Sequence, residues 1–492
     1  MNMRSRNRVF RSNALVFLLG AFVCSVACAA QKVETPIQDS WDIISMSGAR
    51  VGYAHSITRQ VAEPEPEIVS SSFSEMRIKR FGATLAFRTT EEYYETPDGT
   101  LLRATSSQSG AMVSESEAKV QGGKVVVTTH TGGTTHVSET AWDPAVVGPE
   151  GQSRKLRESG FPVGKPLTFK LYLLDLQKVA TATITIEGRE TVTIGGKPRE
   201  LYKAASVMDA LPGVVTRLWF DETGDTLRSV TDVIGGIETV RATREEAVSV
   251  VNSPGELEDL TKRFTIVSNM KFDHPAAVQE ALYRIEGAIA RLNFQDRRQK
   301  VESQGPGWVL LRVKALADAA EPSSEKPGPE YLAASAYLQS DDPDIQRIAR
   351  DNVTPSAAPA VKAKQLAAWV FTNITKKDYN VGFASAKETV LSREGDCKEH
   401  AMLLAALLRA AGIPSRVAVG VTYAKGQFFG HMWTEAFLND WTAFDATRTA
   451  DVVDATHIKL VASALDGPAA GASFMALAQV LDHLKINVQE AR

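Results

Sequence analysis

The fold of the C-terminal part of this chain is decided by the stretch Glu394-Gly-Asp-Cys-Lys-Glu-His400, which continues directly into the apolar run Ala401-Met-Leu-Leu-Ala-Ala-Leu-Leu-Arg-Ala-Ala-Gly-Ile-Pro414. Asp396 is a favourable helix N-cap residue. Glu399 follows it at the position where a glutamate can accept a hydrogen bond from the backbone amide of the cap, which completes a capping box. The sequence therefore predicts a helix that begins at Cys397.

The predicted position of Cys397 favours a reactive thiol. In the first turn of a helix, unpaired backbone amides and the positive end of the helix dipole stabilise an anion. The thiolate is the nucleophilic form of cysteine. The residues that follow are apolar on nearly all faces and end at Gly412-Ile-Pro414, which predicts a buried helix with a clear stop. The alternative is an ordinary buried cysteine, because free cysteines are among the most buried residues.

The N-terminus has the form of a secretory signal. Residues 1–30 combine four arginines, an apolar run and a small-residue stretch, and the apolar run is too short to anchor the chain across a bilayer. Two outcomes stay open: cleavage at the end of this segment, or a lipoprotein signal with acylation of Cys28. Either outcome predicts an exported protein, periplasmic or extracellular.

The cysteine count supports a role for Cys397. The other cysteines of the chain, Cys24 and Cys28, lie in the predicted signal, so the processed chain keeps Cys397 alone or together with a lipidated Cys28. A lone thiol in an oxidising compartment is a liability unless it has a function. The count therefore favours a nucleophile over an inert buried cysteine.

The charge pattern argues against a nucleic-acid partner. The net charge is −3, and no basic run is interleaved with aromatic residues, so we expect no nucleic-acid partner.

The residue patterns divide the chain into segments. Alternating polar and apolar runs between Gly, Pro and Asp turns predict antiparallel strands before residue 250. The similar segments Tyr94–Arg103 and Trp219–Arg228 suggest two similar halves there, and a helix is expected around 276–290. The predicted organisation is a signal (1–30), a β-rich region (31–250), a mixed connector (251–328), an α+β domain (329–460) and a C-terminal extension (461–492).

We expect no metal and no cofactor. His130 and His136 flank a turn in the β-rich region. Two hairpin histidines without a third ligand do not make a closed or a catalytic zinc site. A structural role is therefore the simpler interpretation of both.

Residues after the predicted helix supply partners for the thiol. Three runs predict consecutive antiparallel strands: 416–423, 428–437 and 441–445. A nucleophilic thiol needs a base, and the base needs an acceptor that fixes its tautomer. Cys397, His431 and Asp445 supply these roles in this order. His400 shares the helix face of Cys397 but is fixed inside the helix, so we expect it to be structural.

Three motifs together resemble a known superfamily: Gly-Asp-Cys-x-Glu-His, then His-x-Trp-x-Glu, then Trp-x-x-Phe-Asp-Ala-Thr. In this order they resemble the core of the transglutaminase-like superfamily, whose fold is similar to that of papain-type cysteine peptidases. The resemblance covers about residues 330–460 and implies Cys397 as nucleophile, His431 as base and Asp445 as orienting acid. Asp-Ala-Thr stands where Asp-Pro-Thr is frequent in the family, but the difference lies after the acid.

The implied chemistry is acyl transfer through a cysteine thioester. The oxyanion would be stabilised by the backbone amide of Cys397 and by a side-chain donor upstream, for which Asn380 is the candidate. The expected substrate is a protein or peptide with a side-chain or backbone amide, and the acceptor is either an amine or water. The alternative is a non-catalytic envelope binding or assembly protein that uses this fold as a scaffold. Retention of all three triad residue types favours the enzyme.

The side of the sheet to which Asp445 points depends on one loop. A three-residue loop, 438–440, pairs Phe437 with Trp441 and makes His431 the diagonal neighbour of Asp445 on one face, at roughly 7 to 8 Å between backbones. A two-residue loop would place the two side chains on opposite faces. The proposed chemistry therefore predicts the three-residue loop, or a five-residue loop of the same parity, with His431, Trp433 and Asp445 facing the N-terminus of the Cys397 helix.

We expect export to remove residues 1–30, because this segment carries the charged, apolar and small-residue parts of a signal. The intact mass of the exported protein measures the outcome. Loss of the segment without modification indicates simple cleavage, and a diacylglyceryl mass on Cys28 indicates a lipoprotein. An exported chain of full length contradicts both.

Overall fold

The computed structural model describes residues 34–492 except 63–64, 81–82, 111–112, 132, 212, 234–235, 253–264, 288, 290–291, 293, 316–325, 377–383, 449–452 and 467–483. The predicted signal and the candidate donor Asn380 therefore lie outside the described residues. Within the described ranges, no helix is both long and apolar enough to span a membrane.

The β-rich region forms one antiparallel sheet of 14 strands. In chain order the strands are β1 Glu34–Met46, β2 Ala49–Val61, β3 Glu67–Arg80, β4 Ala83–Glu95, β5 Leu101–Gly110, β6 Ser114–Gln121, β7 Lys124–Thr131, β8 Thr134–Ala141, β9 Pro166–Leu173, β10 Lys178–Ile194, β11 Lys197–Met208, β12 Val215–Phe220, β13 Thr226–Thr231 and β14 Ile237–Ala242. Helix α1 (Pro149–Glu158) follows β8, and α2 (Arg244–Asn252) packs on β1 to β3.

Two meanders make up this sheet. Strands β1 to β8 and β9 to β14 each follow in chain order, and the meanders meet where β1 pairs with β14. Strand β10 shows the expected alternation, with Ala180, Ala182, Ile184 and Ile186 all buried on one face. The two similar segments of the sequence are the β4–β5 and β12–β13 hairpins, one in each meander.

A four-stranded sheet joins distant parts of the chain. Its strands are β16 Glu280–Glu286, β17 Gln299–Gly305, β18 Trp308–Lys314 and, far along the chain, β23 Lys485–Ala491, in the order β17-β18-β16-β23. The helix predicted at 276–290 is wrong because β16 occupies the middle of this range. Ala281, Tyr283 and Ile285 are buried at alternate positions, so pairing with β18 and β23 overrides a local helix preference.

The α+β part contains four helices and a five-stranded sheet. The helices are α3 Pro343–Asp351, α4 Pro359–Asn373, α5 Ala386–Ser392 and α6 Cys397–Ala410; the strands are β15 Thr265–Val267, β19 Ser415–Ala424, β20 Gln427–Phe437, β21 Trp441–Phe444 and β22 Ile458–Ser463. Helix α6 is buried along its length between α3, α4 and α5 and the strands β19 and β20. The predicted fold class, a β-rich antiparallel region followed by an α+β domain, is confirmed.

The strand register is the one that the chemistry requires. Phe437 pairs with Trp441 across the loop 438–440, and Thr434 pairs with Phe444. Asn439 has φ 87°, the left-handed region that asparagine tolerates better than most residues. The three-residue register is therefore confirmed, and Asp445 continues from β21 onto the face that carries His431.

The segment 453–455 is held against the four-stranded sheet. The buried guanidinium of Arg298 donates to the carbonyl oxygens of Lys314 and Ala315 at 3.0 and 3.3 Å, and to those of Val453 and Asp454 at 3.4 and 2.9 Å. The Tyr283 hydroxyl donates to the Ala455 carbonyl at 3.0 Å. These bonds supply donors to carbonyl groups of this segment and of the sheet.

We expect Arg298→Met to lower the free energy of unfolding by about 3 kcal/mol or more, because several buried carbonyls lose their donor at once. Urea unfolding and hydrogen exchange of residues 453–463 measure the effect. Arg347→Met is the control, because Arg347 is half exposed and makes only a surface ion pair, with Asp344. Equal losses in the two variants would contradict the bracing role of Arg298.

Candidate active site

Cys397 is the first residue of α6, as predicted. The Asp396 side chain accepts a hydrogen bond from the Lys398 amide at 2.9 Å, and the Asp396 amide donates to Glu399 Oε2 at 2.9 Å, which completes the capping box. The other carboxylate oxygen of Glu399 accepts from the Ala384 amide at 3.2 Å. Burial raises the pKa of Glu399 to about 8, against the charge of Lys398. The cap therefore fixes the start of α6 and ties it to the chain before α5.

His431 lies between Cys397 and Asp445. Its Nε2 is 3.0 Å from Asp445 Oδ2, and the Cys397 side chain is near enough to act on the charge of its ring. Burial acts to lower the pKa of His431, but the charge and hydrogen bond of Asp445, with a smaller effect of Cys397, outweigh it and raise this pKa to about 9. The imidazolium form of His431 is therefore stabilised beside the thiol.

Asp445 is held on both oxygens. Its Oδ1 accepts from the amide and the hydroxyl of Thr447 at 3.0 and 2.7 Å. Its Oδ2 faces His431, Arg448 Nε at 3.2 Å and His457 Nε2 at 3.3 Å. Burial would raise the pKa of this carboxyl, but the charge and hydrogen bond of His431, followed by those of His457, hold it well below its usual range. Asp445 is therefore a fixed anion.

His457 belongs to the site although no sequence motif pointed to it. This side chain is completely buried, and its Nδ1 is 3.1 Å from Asp454 Oδ1, so it lies between two carboxylates. Asp454 Oδ2 in turn accepts from Arg448 Nη1 at 2.8 Å. We call Asp445, His457, Asp454 and Arg448 the buried charge network. The histidine follows the motif Asp445-Ala-Thr by ten residues, and no spacing rule connects a histidine there with a catalytic acid.

The same side chains offer metal-ligand atoms. Single atoms of His431, Asp445 and His457 lie within 4.8 Å of one another. A divalent cation there would compete with the Arg448 guanidinium for Asp445 Oδ2, and like charges repel. The distances to Asp445 are also those of hydrogen bonds. We therefore interpret the cluster as a hydrogen-bonded network.

His400 and Asn380 are the other two residues that the sequence singled out near the thiol. His400 is buried inside α6, where its Nδ1 donates to the Asp396 carbonyl at 2.7 Å. It therefore supports the helix start from within. Asn380 belongs to 377–383, outside the described residues, so its role as an oxyanion donor stays a prediction.

The comparison with protein families agrees with this site. Residues 346–446 match the model described as the transglutaminase-like superfamily. These residues form a transglutaminase-like domain. The match includes the whole of α6 together with His431 and Asp445, and it supports a family of cysteine-based enzymes for this part of the chain. No curated protein matches the chain.

Three solved structures match the chain at low sequence identity. A candidate cysteine protease from Cytophaga hutchinsonii has 19% identity and a TM-score of 0.28, and covers 44% of this chain and 87% of its own. The periplasmic domain of TgpA from Pseudomonas aeruginosa, bound to ethylmercury, has 18% identity and a TM-score of 0.28, with coverage of 36% and 77%. A β-barrel-like protein of a domain of unknown function from Brucella abortus has 12% identity and a TM-score of 0.31, with coverage of 42% and 95%.

The raised pKa of His431 makes the stability of the transglutaminase-like domain depend on pH. Its pKa of about 9 lies above the ordinary value of 6.5, so the stabilisation by the imidazolium is complete below pH 6.5 and is lost as the pH rises through about 9. We expect a decrease on the order of 3 kcal/mol in the free energy of unfolding across this range.

Urea unfolding at a series of pH values measures this decrease. His431→Gln removes the titrating group and should flatten the dependence between pH 7 and pH 9. An unchanged slope in this variant would show that other groups cause the dependence.

Proposed function

We propose that this protein is an exported thiol acyl-transfer enzyme that acts on amide bonds through a thioester of Cys397. The carrying observation is the continuous set of contacts from the thiol to His431 and from His431 to the fixed anion Asp445, at the N-terminus of a buried helix. A thiol, a base and an orienting acid in contact are the parts that nucleophilic catalysis needs. The assignment of these three roles is part of the proposal.

The first half-reaction would form the thioester. The Cys397 thiolate attacks the amide carbonyl carbon, and the negative charge moves to the carbonyl oxygen. The His431 imidazolium then gives its proton to the nitrogen as the carbon–nitrogen bond breaks, so that ammonia or an amine leaves. The backbone amide of Cys397 is positioned at the helix start to stabilise the oxyanion, together with a donor upstream.

The second half-reaction would return the enzyme to its starting state. Neutral His431 removes a proton from the acceptor, an amine or water, as the acceptor attacks the thioester carbon. The carbon–sulfur bond breaks and Cys397 leaves as the thiolate, with His431 again protonated. An amine acceptor gives transamidation, and water gives hydrolysis of a side-chain or backbone amide. The partner is therefore a protein or peptide that carries the amide.

Asp445 has two tasks in this scheme. Its contact with Nε2 of His431 leaves the other ring nitrogen for the thiol, so the carboxylate sets which nitrogen reacts. Its charge also stabilises the imidazolium that exists before acylation and after deacylation. Because both of its oxygens are held, the orientation of His431 does not depend on a mobile side chain.

Export is supported by the sequence features of residues 1–30. After removal of these residues, a chain without acylation at Cys28 contains Cys397 as its one cysteine. Contact with a membrane is proposed only for a chain acylated at Cys28.

We expect Cys397→Ala to reduce turnover of a glutamine peptide by at least about 10,000-fold without loss of fold, because the nucleophile is lost from a helix start. His431→Ala should have nearly the same effect. Ammonia release, measured with and without a labelled primary amine, follows both acceptors, and incorporation of the label identifies transamidation. A peptide panel with scissile backbone amides tests the hydrolase.

His400→Asn is the matched control, because an asparagine amide can replace the hydrogen bond from His400 to the Asp396 carbonyl. This variant should keep most of the activity. Loss of activity in His400→Asn together with normal activity in His431→Ala would overturn the assignment of the base. A folded wild-type protein that releases neither ammonia nor peptide products across the panel would favour a non-catalytic scaffold.

A further inference from the structure

His457 is a buried histidine that the proposed reaction does not use. It lies directly before β22, in contact with Asp445, and its side chain has no exposed surface. A buried imidazole must satisfy two polar nitrogens, and each unsatisfied one would cost free energy. The partners of the two nitrogens therefore show what the residue does.

Each ring nitrogen of His457 faces a carboxylate. Nε2 is 3.3 Å from Asp445 Oδ2, and Nδ1 is 3.1 Å from Asp454 Oδ1. Asp454 is ionised: burial opposes ionisation, but the hydrogen bond and charge of His457, the hydrogen bond of Thr456 and the charge of Arg448 bring its pKa to about 2. An ionised carboxylate can only accept a hydrogen bond, so Nε2 of His457 is placed to donate to Asp445 and Nδ1 to face Asp454.

Arg448 links the two carboxylates of the buried charge network, because it reaches Asp445 with Nε at 3.2 Å and Asp454 with Nη1 at 2.8 Å. Among the described residues, His457 also has Thr422 Oγ1 at 3.4 Å from Nδ1 and the rings of Trp433 and His431 at 5.4 and 5.6 Å from its imidazole. His457 is therefore enclosed between the two carboxylates that Arg448 joins.

The backbone around His457 is held rigidly. The preceding residues 453–455 are bonded by Arg298 and Tyr283 from the four-stranded sheet. Strand β22 approaches β19 so closely at Gly420 that a Cβ there would lie 2.0 Å from the Ile458 carbonyl oxygen. Position 420 also pairs with His431 across β19 and β20. The fold therefore fixes both histidines relative to the same carboxylate.

We propose that His457 is a positioning residue whose Nε2–H holds the Asp445 carboxylate in the orientation that directs His431 toward Cys397. The proposal rests on the acyl-transfer function above. It assigns His457 an effect on the reacting groups only through Asp445, and it assigns Asp454 the task of keeping the imidazole of His457 in place. Without the Nε2 donor, Asp445 Oδ2 keeps only Arg448 and His431 as partners and loses a contact that restricts its rotation.

Two substitutions separate this role from a merely structural one. His457→Gln places an amide nitrogen where Nε2 was and keeps a donor to Asp445, whereas His457→Asn places it where Nδ1 was and keeps only a donor to Asp454. We expect kcat/KM to fall about 10- to 100-fold in His457→Asn, mainly through kcat, and to stay within about 3-fold of wild type in His457→Gln. A purely structural role would give the opposite order or equal losses, and either result would overturn the proposal.

A second readout does not need a substrate. Alkylation of Cys397 by iodoacetamide, followed by mass spectrometry of the peptide that contains it in the full chain, reports the thiolate beside His431 as a function of pH. We expect His457→Asn to lower the alkylation rate at pH 6 to 8, and His457→Gln to keep the wild-type profile. Thermal unfolding of each variant verifies that the compared proteins are folded.

His55→Gln is the matched control. His55 also pairs with a carboxylate, Asp39, at 2.9 Å, but it lies in β2 of the 14-stranded sheet. This variant should leave both readouts unchanged. If wild-type Cys397 shows the pH-dependent reactivity but no acyl transfer occurs, the proposed function fails while the alkylation series still decides the role of His457. If acyl transfer occurs and both His457 variants match wild type, only the role of His457 is overturned.

Discussion

The hydrogen bond between His431 and Asp445 is the constraint on which the candidate site depends. It exists because a three-residue loop between β20 and β21 places both side chains on one face of the sheet. Because side chains alternate between the two faces of a strand, a slip of one residue would turn Asp445 to the opposite face of the sheet. The N-terminus of α6 lies against the same face and brings Cys397 to the free side of His431. The number of residues in this loop, odd or even, therefore decides whether His431 and Asp445 meet beside the N-terminus of α6.

Charged side chains near this face form two groups in which residues of opposite charge are in contact. Asp445, Asp454, Arg448 and His457 form one group, and Glu435 forms another with Lys459 at 2.9 Å and Arg416 at 2.6 Å. Buried ion pairs of this kind contribute little net stability, because desolvation offsets most of their attraction. They do specify geometry, since each partner is costly to leave alone. The interior next to the site is therefore built more for orientation than for stability.

The four-stranded sheet combines strands from the middle and from the C-terminal part of the chain. Strands β16 and β18 come from the predicted connector, and β23 comes from the predicted C-terminal extension. Arg298 and Tyr283 of this sheet region bind the carbonyl groups of residues 453–455, which precede His457. The segments on either side of the transglutaminase-like domain in the sequence thus come together in space to support one wall of its site.

The sequence by itself determined the features that local physics controls. The capping box at Asp396, the start of α6 at Cys397 and the order of β19 to β21 follow from caps and alternation within a few residues. The loop parity beside His431 followed from the chemistry that a triad requires, because strand alternation allows only one parity to bring His431 and Asp445 together. Only the tertiary structure decided which strands pair across long separations, why 280–286 is a strand, and that His457 reaches Asp445. These features depend on contacts between segments far apart in the chain, where burial and pairing outweigh local preference and no residue spacing records the partner.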